Sequence, residues 1–234
     1  MSVAENLTNI REKVATACRA ARRPVEDVAL MAVSKVHPAT FILEAYAAGQ
    51  RLFGENRVQE FQAKSIELGD AFFGSERASF HLIGPLQNNK TAKAAELFDA
   101  IDTLDSLKTA QRLESAWNGS PRSLPVLVEV KLSPEEAKHG VAPADLPRLL
   151  DQLADLKNVQ VQGLMTVPPW SEDPEAARPY FRQLRELRDQ LRSAHPGMAQ
   201  LSMGMSNDFA VAIEEGSTCV RIGTAIFGRR ILTP

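Results

Sequence analysis

Apolar positions along this chain switch between a helical and a strand period, and the switching lays out the elements in order. An amphipathic helical stretch runs from about Val3 to Ala21. After it, short β-branched or apolar runs are each followed by a helix-period segment. Val28–Lys35 predicts the first strand, with a helix over about Ala39–Ala48. Arg51–Asn56 predicts the second, with a helix through about Leu68, and Phe80–Gly84 the third, with a helix through about Leu97. Ala100–Leu104 precedes a helix near Leu107–Trp117, and Pro125–Val130 precedes one near Pro143–Leu156. Val159–Val167 leads into a long helix, about Glu175–Ser193. Gln200–Met205 precedes a helix near Asp208–Glu215, and Thr218–Gly223 is the last strand.

Eight strands alternating with helices point to an α/β protein, a (β/α)8 TIM barrel with an extra N-terminal helix; such barrels close in roughly 250 residues. The chain has 234 residues, 44% of them hydrophobic, enough to bury one core as a single domain spanning 1–234. A doubly wound open sheet is the rival, but it calls for a GxGxxG turn after the first strand, and none stands there. Pro168–Pro174 reads as a longer loop over the barrel mouth rather than a linker. A barrel gathers its chemistry at the C-terminal ends of the strands. Lys35 ends the first strand and Asn56 the second, Ser206 follows the seventh, and Gly223-Thr224 close the eighth.

Charge narrows the partners. Lys and Arg number 27 against 29 Asp and Glu, a formal net charge of −2, and neither end carries a polybasic tail, so nucleic acid is not an expected partner. The opening Met1–Asn6 reaches no apolar signal region and no run of eighteen apolar residues occurs, so the expectation is a soluble, cytoplasmic protein away from membranes. Cys18 and Cys219 form no CxxC and join no His/Cys cluster, which reads as reduced packing residues with no metal site. No self-complementary apolar helix face stands out, and a monomer is the default expectation.

Three positions carry the candidate chemistry. Lys35, directly after Ala29–Val33, either sits against the barrel interior, where desolvation frees its amine to attack a carbonyl, or snorkels into water. For a ligand with a phosphate, the loops after strands seven and eight are the barrel's usual place; Ser206 and the Gly223-Thr224 pair stand there. Arg221, within Cys219-Val220-Ile222, either faces a ligand or turns outward to a helix carboxylate such as Glu215. His81 and a solvated Lys90 give weaker signals, and one of Glu129 and Lys131 is expected to face the barrel interior.

Val33-Ser34-Lys35, Phe53-Gly54-Glu55-Asn56, the run from His81 to Lys90, Gly163-Leu164-Met165, Ser202–Ser206 and Arg221–Gly228 together resemble the pyridoxal phosphate homeostasis protein family, in order from about Leu7 to Arg229. The resemblance implies a barrel like the N-terminal domain of alanine racemase, with pyridoxal 5'-phosphate (PLP) held as a Schiff base on Lys35. It implies a phosphate held by Ser206, Gly223 and Thr224, with Arg221 facing the pyridine nitrogen and Asn56, Met203 and Met205 near the ring. The sequence departs from the family at Val36-His37-Pro38, a change expected to touch the loop surface rather than the Schiff base. The implied role is an intracellular PLP carrier or buffer in vitamin B6 homeostasis, with apo-forms of PLP enzymes as candidate recipients. A racemase would need a second base from another domain; Tyr46 and Tyr180 fall in predicted helices as packing residues. The alternatives are a single-domain fold-type III PLP enzyme such as a weak racemase, and a Schiff-base aldolase without PLP.

Overall fold

The structure, a computed structural model, describes residues 2–68, 76–117, 123–133 and 139–228. Eight parallel strands close in sequence order: β1 Ala29–Val33, β2 Leu52–Glu55, β3 Ser79–Leu82, β4 Ala100–Leu104, β5 Leu124–Glu129, β6 Val159–Met165, β7 Gln200–Ser202 and β8 Cys219–Ile222. Closure comes from β8 against β1, in register from Ala29↔Cys219 to Ala32↔Ile222. The helices are α1 Val3–Ala20, α2 Ala39–Ala47, α3 Val58–Leu68, α4 Thr91–Leu97, α5 Leu107–Ala116, α6 Leu146–Ala154, α7 Arg178–Leu191, α8 Phe209–Glu214 and α9 Thr224–Phe227. The (β/α)8 expectation therefore holds, and no described helix is long and apolar enough to cross a membrane.

α1 starts at a capping box, in which the Ser2 hydroxyl accepts the Glu5 N–H while the Glu5 carboxylate accepts the Ser2 N–H. Its buried face, Val3, Leu7, Ile10, Val14, Ala17 and Cys18, keeps helical spacing and meets α8, α9 and α2. The helix after β8 is a single turn, so α1 covers the barrel side that α9 is too short to cover. The Asn6 amide secures it by donating to the Ile226 carbonyl at 2.8 Å.

Between strands and helices the core is apolar, with Phe53, Phe61, Phe80 and Phe98 in one aromatic cluster at ring separations of 5.3, 4.6 and 4.8 Å. Strand alternation sends Val220 and Ile222 into that outer core and leaves Arg221 to the barrel interior.

Several boundaries differ from the pattern reading, among them β7, which ends at Ser202 rather than Met205, and the three that follow. β1 stops at Val33, and Ser34-Lys35 already belong to a turn closed by His37 N–H on the Ser34 carbonyl at 3.1 Å. The helix expected from Glu175 opens as a 3-10 turn over Pro174–Ala177, capped by Asp173, and becomes α-helical at Arg178. The helix expected from Pro143 begins at Leu146, with Pro147 in its first turn, where a missing N–H costs nothing.

Candidate functional site

The turn after β1 brings Lys35 to a cavity of about 640 Å3 at the C-terminal mouth of the barrel, within the size range of small-molecule sites. Asn56 lines the same cavity at the end of β2, and its position leaves no freedom at Gly84. A Cβ on Gly84 would stand 2.3 Å from the Asn56 carbonyl oxygen. Met205 and Ser206 enter from the β7 loop, Gly223 and Thr224 from the β8 end. The β7 loop turns at Gly204, whose φ of +96° suits glycine, and is fastened where Asp208 Oδ1 accepts the Met205 N–H at 2.6 Å.

Arg221 lies in the cavity wall at 5% exposure. Its guanidinium donates to Ser202 Oγ at 2.6 Å and to the Thr166 carbonyl at 2.8 Å. The inward reading of Arg221 is therefore the observed one, and Glu215 is engaged by Arg178, Arg182 and Arg185 instead. Burial works against the Arg221 charge and lowers its pKa, opposed by nearby Asp102, Glu129 and Asp208. Burial also pushes the carboxyls of Glu129 and Asp208 above the usual range. Lys35, Lys131 and Arg221 thus meet two carboxyls that are harder to ionise, a balance that favours an anionic ligand.

Seven of the eight predicted site residues line this one cavity. Met203 does not: it is fully buried in the apolar core, one residue out of phase with the inward Ser202. Glu129 and Lys131 both line the cavity, where one inward residue was expected; Lys131 stands beyond the strand end, so strand parity no longer governs it. His81 pairs with buried Asp102 at 3.0 Å, and neither it nor Lys90 is part of the lining. Tyr46 donates to the Glu76 carbonyl from α2, and Tyr180 lies in α7, both off the cavity. The Val36-His37-Pro38 departure reaches deeper than the loop surface: His37 is buried between Phe41 and Phe227, at centroid distances of 5.6 and 5.3 Å. Cys18 and Cys219 are buried free thiols, and burial pushes Cys219 up to about 12.

The sequence pattern did not reveal Ser202 and Thr166, which hold Arg221. It also missed how the Pro168–Pro174 loop is tied down: Asn207 Nδ2 donates to the Ser171 carbonyl at 3.0 Å, beside Trp170 on the cavity rim.

Fold and site together define a (β/α)8 barrel with a lysine at its mouth after β1, the β7 and β8 loops beside it, and a buried arginine in the wall. The sequence matches the family described as alanine racemase, N-terminal domain, over residues 6–230. It is 43% identical to the pyridoxal phosphate homeostasis protein of Aquifex aeolicus, covering 98% of this chain and 99% of that protein. PipY of Synechococcus elongatus PCC7942, solved with PLP bound, superposes with a TM-score of 0.85 at 42% identity, over 97% of this chain and all of that one. Alanine racemase of Clostridium difficile 630 shares the fold at 16% identity, TM-score 0.74, with 56% of its chain covered. The chain belongs to the pyridoxal phosphate homeostasis protein family.

Proposed function

We propose that this chain binds PLP at the barrel mouth through a Schiff base from Lys35, and acts in intracellular PLP homeostasis as a carrier or buffer rather than a catalyst. The observation that carries the reading is the meeting of Lys35, Arg221 and the Ser206 and Gly223-Thr224 loops in one cavity; the PLP-bound PipY neighbour supports it. PLP supplies an aldehyde and an electron-withdrawing ring. Ser206, Gly223 and Thr224 hold its phosphate, and Asn56 and Met205 flank the ring. Arg221, anchored by Ser202 and Thr166, faces the pyridine nitrogen as a fixed cationic donor, which keeps that nitrogen unprotonated. A ring kept unprotonated draws electrons weakly, which suits storage. The chain works as one PLP-binding domain, a cytoplasmic monomer, and the apo-forms of PLP enzymes are its recipients.

The test is handover. PLP-loaded protein mixed with an apo-enzyme restores that enzyme's activity faster than the same total PLP is captured by a bare lysine-rich carrier protein. Equal rates would sink the carrier reading.

One observation favours a second reading, a weak amino-acid racemase. Glu129 ends β5, four strands round the barrel from the β1 end that carries Lys35, and lines the same cavity. L-Alanine in deuterium oxide decides between the two. The carrier reading predicts no α-hydrogen exchange above that of free PLP; exchange lost in both Lys35→Ala and Glu129→Gln would replace it.

A further inference from the structure

Beside Lys35 lies a buried charged cluster that the site above does not use. Glu55, the last residue of β2, is fully buried, and Lys64 on α3 is 6% exposed. Lys64 Nζ donates to Glu55 Oε1 at 2.8 Å and to the Ser34 carbonyl at 2.9 Å, and lies 2.8 Å from Glu60 Oε1. Glu55 Oε1 accepts the Ser34 hydroxyl at 2.7 Å, and Glu60 Oε1 accepts the Val36 N–H at 2.5 Å. The Ser34 carbonyl and the Val36 N–H belong to the two peptide groups that flank Lys35. Lys64, held by two carboxylates, therefore grips the backbone before Lys35, and Glu60 grips it after.

Two features argue that this grip serves more than stability. Val36 sits at φ +61°, a conformation that β-branched residues avoid and that persists only where the surroundings enforce it. Glu55 Oε2 is buried with no hydrogen-bond partner, and a buried ion pair left incompletely satisfied gains little over an apolar replacement. A cluster selected only to join β2 to α3 would do better as packed apolar side chains. What apolar side chains cannot do is bond the peptide groups at 34–36.

We propose that Glu55, Lys64 and Glu60 form a positioning device for Lys35: by fixing the Ser34–Val36 turn they present its amine to the cavity. The inference rests on reading Lys35 as the PLP-linking residue. The three act through the backbone and touch no ligand.

The test compares Glu60→Gln, Glu60→Ala and Lys64→Met. Two readouts are used on folded protein: PLP affinity from the visible band, and the acetic anhydride labelling rate of Lys35 relative to Lys93 in cofactor-free protein, read by peptide mass mapping. Glu60→Gln keeps an acceptor oxygen for Val36 and stays near wild type. Glu60→Ala and Lys64→Met weaken PLP binding about tenfold and change relative Lys35 labelling about threefold, as expected for losing a charge-assisted bond that orients a reacting group. Glu60 is at the edge of the cluster, 24% exposed, so its variants remain decisive if Lys64→Met fails to fold. Wild-type labelling and affinity in Glu60→Ala, within twofold, would overturn the proposal. If wild-type protein gives no PLP band, the PLP reading fails while the labelling ratio still decides the positioning role.

Discussion

Two charged clusters on this barrel use the same ion-pair chemistry to different ends. In the first, Glu55, Lys64 and Glu60 lie between β2 and α3 and bond the backbone beside the site. In the second, Glu215 accepts from Arg178, Arg182 and Arg185 at 3.1, 3.0 and 2.9 Å, joining α7 to the end of α8. The second has more ion pairs, but its arginines are a quarter to a half exposed and it touches nothing in the cavity. Counting ion pairs would rank it first. Asking what each charge grips ranks it second: Glu215 is itself buried, but its arginines reach solvent, where their charge is screened.

The comparison breaks if the two clusters respond alike to mutation. The largest expected effect is Glu55→Ala, which takes from buried Lys64 the more buried of its two carboxylates and leaves it Glu60 and the Ser34 carbonyl; a loss of about 3 kcal/mol of unfolding free energy is expected, read by urea titration. Next is Glu114→Ala. That carboxylate on α5 accepts the N–H groups of Lys157, Asn158 and Val159 at the start of β6, so its removal costs about 2 kcal/mol. Smallest is Glu215→Gln, about 1 kcal/mol, shrinking further in 1 M salt. An equal loss from Glu55→Ala and Glu215→Gln would contradict the ranking.

Proton linkage sharpens the same contrast. Burial acts to raise the Glu114 pKa, but the three backbone N–H groups outweigh it and hold the carboxyl below the usual range. A depressed carboxyl contributes stability that is present above its unfolded pKa, about 4.3, and lost as pH falls through the folded value. The stability gap between wild type and Glu114→Gln therefore closes on acidification below that point. Glu55 has the opposite sign: burial dominates and raises it despite Lys64. Its titration favours the folded state at low pH and loses that contribution as pH rises above the ordinary glutamate value. A Glu114→Gln gap that widened in acid would show this assignment to be wrong.

Much of this was legible in the sequence because a parallel barrel couples position to chemistry. Once eight strands were read from period, the residues at their C-terminal ends, Lys35, Asn56 and Gly223-Thr224, fell together at the mouth. Arg221 stayed ambiguous because two-residue periodicity says that Arg221 and Val220 face opposite ways, not which of them faces in. Met203 was misplaced because a family motif names a stretch, while the turn at Gly204 sends Met205 to the cavity and leaves Met203 in the core. The positioning cluster left one readable trace. Lys64 falls on the buried stripe of α3 with Val58, Phe61 and Leu68, and a lysine in an apolar stripe must find a partner. Naming Glu55 as that partner required the barrel to lay α3 over β2.

The most direct measurement is borohydride reduction of the PLP-treated protein followed by peptide mass mapping. One pyridoxyl mass is expected, on Lys35, and it is lost in Lys35→Ala together with the visible band. A label absent from Lys35, or spread over exposed lysines such as Lys13, would contradict it.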